Sequence, residues 1–142
     1  MKIAIDFDGT CVTHDFPRIG KDIGAVPVLK ELVEKGHKLI LFTMRSNKVH
    51  GTYGATIDGI TGNTDNCLTD AVNWFKENGI SLYGIQSDPG QKKWTSSPKC
   101  YAELYIDDAA LGTPLITNYN ISSKPYVNWN EVRNILIRKG VL

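Results

Sequence analysis

Residues Lys2–Phe7 read KIAIDF, and Lys38–Thr43 read KLILFT. Each is a short apolar run that does not alternate with polar residues. Such a run fits a strand covered on both faces, the condition of a central strand in a parallel sheet. Parallel strands need long crossover connections, and the sequence between the runs supplies helices for them. Ala25–Lys35 carries an apolar stripe of Val26, Leu29, Leu32 and Val33, with Pro27 in its first turn and Gly36 where a C-terminal cap belongs. Leu68–Asn78 is a second helix, with Thr69 as its expected N-cap, Val72 and Phe75 inward and Gly79 closing it. Further strands are expected at Ser81–Gln86, Leu104–Asp107 and Thr113–Thr117. A last helix starts near Trp129, capped by Asn128 with Glu131 in the capping-box position, and ends at Gly140. Val132, Ile135 and Leu136 would face the core.

Strand and helix alternate, so the chain reads as an α/β protein with a doubly wound, Rossmann-like parallel sheet of five strands flanked by helices. Its 142 residues suit one domain spanning 1–142. Lys and Arg number 16 against 15 Asp and Glu, a net charge of +1, which lacks the basic footprint of a nucleic-acid binder. No nucleic-acid partner is expected. A small anionic substrate is compatible, because a site needs only a local field. Cys11, Cys67 and Cys100 are widely spaced and odd in number, which argues against a disulfide scaffold or zinc site and for a reducing compartment. No apolar run reaches the ~18 residues of a membrane span. The N-terminal residues carry no cleavable signal pattern. A cytoplasmic protein with no membrane partner is the expectation.

One stretch breaks the rhythm. Ser46–Cys67 has four glycines and little periodicity. It is either a small flap over a site or a loop without structure of its own.

In an open parallel sheet, ligands bind in the crevice beyond the carboxyl ends of the strands. Those ends carry Asp6 and Asp8, then Thr43, then Asp107 and Asp108. Asp6 and Asp8 are one residue apart, so an extended chain sends both side chains the same way. Carboxylates aimed at one place raise each other's pKa unless a cation sits between them. Hard oxygens without histidine or thiolate partners suit Mg²⁺ better than zinc. Phosphoryl transfer gives the set coherent roles. One carboxylate attacks phosphorus and a second moves protons, while a hydroxyl and a lysine bind the remaining oxygens. His14, His37 and His50 share no ligand spacing. Cys11 has no histidine partner and reads as a small buried thiol. Trp74 and Trp94 read as packing residues, and Trp129 as the residue that seats the last helix.

The runs IAIDFDGT, LILFT and KCYAELYIDD resemble motifs I to IV of the haloacid dehalogenase-like (HAD) phosphatases. More narrowly, the chain resembles small members without a large cap domain, including phosphatases ascribed to capsule biosynthesis. The likeness covers nearly the whole chain, in the expected order. It implies Asp6 as nucleophile and Asp8 as general acid/base. The metal site would draw on Asp6, Asp8, Asp107 and Asp108, with the Phe7 carbonyl as a further ligand. Thr43 would hydrogen-bond the phosphoryl group, helped by the Met44 amide. Dehalogenases of the family lack the second aspartate, so Asp8 points to phosphate esters.

Lys99 occupies the family's lysine position. Were every residue after it strand, Lys99 would lie ~25 Å from Asp107, so a short strand and a chain that doubles back are required. Lys92 and Lys93 are its competitors. Arg45, next to Thr43, is a candidate for gripping a substrate anion, or else a surface salt-bridge partner. Cys100 stands where relatives often have proline, Ala109 where they often have a basic residue, and His14 where they have a flap. The function so implied is a Mg²⁺-dependent phosphatase acting through a phosphoaspartate on a small phosphorylated substrate such as a sugar phosphate. An open site would suit a lid borrowed from a second copy in a homo-oligomer. A phosphotransferase or a silent metal- and phosphate-binding module would carry the same residues.

Overall fold

The computed structural model describes residues 1–47 and 65–142. His50 and nearly all of the irregular 46–67 stretch lie outside the described residues. Among the described residues, no helix is long and apolar enough to cross a membrane.

Four strands, β1 (Lys2–Ile5), β2 (Lys38–Leu41), β3 (Leu82–Ile85) and β4 (Leu104–Ile106), form a parallel sheet in the order β3-β2-β1-β4. Helix α1 (Ala25–Glu34) joins β1 to β2, and α2 (Cys67–Glu77) precedes β3. A third helix, α3 (Trp129–Arg138), closes the chain. The central register pairs Ile5 with Leu41 on one side and with Ile106 on the other. Three strands therefore end level, and the residues that follow them share one edge. Strand order reverses at β1, with β2 and β3 to one side and β4 to the other. That reversal opens a crevice between the carboxyl ends of β1 and β4.

Alternation along the strands divides the core. Ile3, Ile5, Leu39 and Leu41 pack with Leu29 and Leu32 of α1, Phe75 of α2 and Leu136 of α3. Ala4 and Ile40 point the other way and share a smaller cluster with Cys100. The three helices thus contribute to one core, while the opposite face is covered by the connection from β3 to β4. That connection carries only a short 3₁₀ turn at Gln91–Lys93. Gly84 lets it fold back, because a side chain there would meet the Ser87 carbonyl. Gln91 pins it, its side chain accepting from Asp88 N and Tyr101 N and donating to the Lys99 carbonyl at 2.9 Å.

The fifth strand expected at Thr113–Thr117 does not extend this sheet. Leu115–Ile116 (β5) pairs antiparallel with Tyr126–Val127 (β6) instead. Residues 107–114 are too few for the crossover that a parallel neighbour would need. Leu115 and Ile116 accordingly stay 45% and 41% exposed. The caps also divide. Asn128 caps α3 as expected, its side chain accepting from Glu131 N. Helix α2 begins before Thr69, and its N-terminus is capped from a distance: Asn47 Oδ1 accepts from Leu68 N and Thr69 N at 3.1 and 3.0 Å. The two freed amides are satisfied whichever residue supplies the oxygen.

Candidate active site

The first strand ends where Asp6 N donates to the Ile106 carbonyl, 3.0 Å away. The chain then turns tightly, with Thr10, Cys11 and Val12 all donating backbone N–H groups to the Phe7 carbonyl. Phe7 itself is buried, edge-on to Trp74 at 5.5 Å. Its carbonyl, expected at the metal, is therefore spent inside the turn. The Asp8 carbonyl accepts no bond among the described residues. Two contacts from the far end of the chain brace this turn. Val127 N donates to the Gly9 carbonyl at 2.9 Å, and the Trp129 indole donates to the Thr10 carbonyl at 2.7 Å. Trp129 thus seats the loop after β1 as well as its own helix.

Oxygens of Asp6, Asp107 and Asp108 all lie within 4.8 Å of one another. Thr10 Oγ1 donates to Asp6 Oδ2 at 3.0 Å and accepts from Asp108 N at 3.0 Å, linking the two motifs directly. Burial is the first cause that lifts the Asp6 pKa to about 7, with Asp107 and Asp108 adding to it against hydrogen bonds from Phe7 N and Thr10. His14 Nε2 sits 2.8 Å from Asp108 Oδ2. The pair packs onto Gly9, whose φ of 79° and missing side chain make the approach feasible: a Cβ would overlap both His14 and Asp108. Cys11 donates its thiol to the Asp6 carbonyl, and burial pushes its pKa well up. It is packing, not a nucleophile.

On β2's side, Thr43 and Met44 stand on a turn at the same edge. Arg45 N donates to Thr43 Oγ1 at 3.1 Å, and Met44 is 97% exposed. Arg45 does not reach outward for a substrate. It is 2% exposed, and its guanidinium holds both oxygens of Asp8 at 2.7 Å. The remaining N–H groups donate to the carbonyls of Pro17, Arg18 and Cys67. All five donors are used, and the plane lies over the rings of Phe7 and Phe16 at 5.0 and 5.3 Å. A buried, flat cation with so many acceptors is a strut joining β1's loop, the segment before α1 and the start of α2. The Asp8 carboxylate is held on Arg45, apart from the Asp6–Asp107–Asp108 trio.

Lys99 lies over Tyr105, and among the described residues no contact joins its ammonium to the acidic trio. The β4 strand begins only at Leu104, and the Lys99 ammonium lies 5.8 Å from the Tyr105 ring centroid. Tyr105 and Asp107 project to the same side of β4, as do Ala4 and Asp6 on β1. Lys92 and Lys93 sit on the 3₁₀ turn beside Asp88, which is salt-bridged at 3.0 Å to Lys2, at the opposite end of β1 from Asp6. Three bracing positions escaped the sequence: Thr10 as the bridge between motifs, Gln86 as the anchor of the Thr43 turn, and Asn47 as the cap of α2. Thr10 lies inside IAIDFDGT and Gln86 follows a strand, so the rule that strand ends carry the site would have found both.

No family model matches the chain, and no curated protein matches it. A solved structure does: a conserved protein coded by locus from Bacteroides thetaiotaomicron shares 29% identity and superposes with a TM-score of 0.70. The likeness covers 98% of this chain and 91% of that one, so the fold is common to nearly their whole lengths.

Proposed function

We propose that the protein is a Mg²⁺-dependent phosphatase that hydrolyses a phosphomonoester through a phosphoaspartate on Asp6. The observation that carries this reading is the convergence of Asp6, Asp107 and Asp108 at the point where strand order reverses. The donor set fits a hard divalent cation: three carboxylates with oxygens within 4.8 Å, and a carbonyl at Asp8 that accepts no bond among the described residues. Burial first, and then the neighbouring Asp107 and Asp108, lift the Asp6 carboxyl to about 7, which is compatible with a place where a cation would offset negative charge. Asp6, Asp107 and Asp108 would hold Mg²⁺, with the Asp8 carbonyl in place of the Phe7 carbonyl. When bound, the ion offsets the charge that a carboxylate meets on approaching an anionic phosphoryl group.

The chain's own groups then divide the work. An Asp6 oxygen attacks phosphorus in line, forming the acyl phosphate bond as the ester P–O bond breaks. Asp8 gives the leaving oxygen its proton, and in the second half takes one from the attacking water. Arg45 fixes the plane of that carboxylate and leaves each oxygen a further lone pair. Thr43, the Met44 amide and Lys99 hold the non-bridging oxygens. By analogy with the family it resembles, the substrate is a small phosphorylated molecule of the cytoplasm, a sugar phosphate in the first instance, and the open site would accept a lid from a second copy.

The test is release of p-nitrophenol from p-nitrophenyl phosphate. Turnover with Mg²⁺ that is lost in EDTA and in Asp6→Asn supports the reading. Equal turnover by Asp6→Asn removes Asp6 as nucleophile. Product that forms only with an added acceptor makes the protein a phosphotransferase using the same residues.

A further inference from the structure

Among the described residues, Gln86 is the one non-glycine with a positive φ, at 63°. Glutamine seldom adopts this conformation, so something must hold it there. Its backbone N–H still extends the sheet, donating to the Leu41 carbonyl at 2.7 Å. Past that bond the chain turns, and the side chain takes over from the main chain. Gln86 Oε1 accepts from Thr43 N at 2.9 Å, while Nε2 donates to the Thr43 carbonyl at 2.7 Å. The carboxamide thus pairs with Thr43 as a strand's peptide group would. Nε2 also donates to the Arg45 carbonyl at 3.0 Å, so one side chain grips both ends of the Thr43–Arg45 turn.

Two donors are left over in that turn. The Met44 N–H makes no hydrogen bond among the described residues. Thr43 Oγ1 receives the Arg45 N–H as an acceptor, which leaves its own hydroxyl proton to give. Both belong to a turn held rigidly from behind and exposed at Met44. We infer that Gln86 is a positioning residue, whose carboxamide sets the Thr43–Arg45 turn so that the Met44 amide and the Thr43 hydroxyl can receive phosphoryl oxygens together. The inference rests on the phosphatase reading of the site and adds to it a residue that touches no substrate.

A purely conformational role and a positioning role separate in Gln86→Gly. Glycine accepts the backbone angle without strain, so the variant is expected to fold and to melt near the wild-type temperature. With the turn released, kcat/KM for p-nitrophenyl phosphate should fall by about a hundredfold, and inhibition by inorganic phosphate should weaken in parallel. Gln86→Glu keeps the acceptor for Thr43 N but sets an oxygen against the two carbonyls. It should fail to restore either quantity, and it decides the matter by the same measures if the glycine variant does not fold. Wild-type kcat/KM and phosphate inhibition in a folded Gln86→Gly would overturn the inference and leave the phosphatase reading standing. A wild-type protein that neither turns over nor binds phosphate would remove that reading, and the inference with it.

Discussion

Burial is the strongest influence on Asp6, and the neighbouring Asp107 and Asp108 push in the same direction. The sign of the consequence follows from linkage. Asp6 has an ordinary value of 3.8 and a folded value of about 7 in the metal-free protein. Between those values the folded state binds more protons than the unfolded state, so stability falls as pH rises through the window. Above pH ~7 the full penalty applies, on the order of a few kcal/mol. Asp6→Asn removes the charge without changing the shape. In EDTA at pH ~8 the variant should therefore melt above the wild type, and near pH ~4 the two should converge. Thermal denaturation across that range checks it, and parallel curves would contradict it. On the proposed reading, a bound divalent cation would offset the cost of charging Asp6 in this buried and acidic place.

Arg45 shows the same economy in the assembly of elements. Its guanidinium ties Asp8 to the carbonyls of Pro17, Arg18 and Cys67, so the loop after β1, the segment before α1 and the start of α2 meet at one side chain. Arg45→Met should cost on the order of 3–5 kcal/mol in urea denaturation, because it leaves the mostly buried Asp8 carboxylate without its partner. A loss below about 1 kcal/mol would show that the strut is dispensable. Arg45 also marks what a sequence can and cannot convey. The runs KIAIDF and LILFT announce buried parallel strands, and Asn128 announces α3, because these signals are local. The strand ends then place Asp6, Thr43 and Asp107 on one edge without further information. Arg45 stands two residues from Thr43 and reads locally as a group facing the substrate. Its burial is decided by residues 16–18 and 67, far along the chain, and no periodicity records that. Asn47 capping α2 and Leu115 pairing with Val127 escaped for the same reason. The Phe7 carbonyl was misassigned because a tight turn, invisible in the pattern, claims it for three amides.

At the scale of the molecule, strand order and level strand ends fix where chemistry can occur. Three helices pack one face of a four-stranded sheet, and a folded-back connection covers the other, bringing Lys99 up to Tyr105. The crevice between β1 and β4 remains at the carboxyl edge, with Asp6 and Asp8 from one side and Asp107 and Asp108 from the other. Helix α3, the last element, reaches back through Trp129 to brace the very loop that carries Asp6 and Asp8. The first and last parts of the described chain are thus bound together at the site. On the proposed reading, Asp6 carries the phosphoryl group between substrate and water. The most direct test is an acid quench of the protein turning over a phosphorus-labelled phosphomonoester with Mg²⁺, followed by peptide mapping. Label is expected on the peptide containing Asp6, released by hydroxylamine as an acyl phosphate would be, and none in Asp6→Asn. Turnover without a labelled peptide, or label that survives in Asp6→Asn, would contradict it.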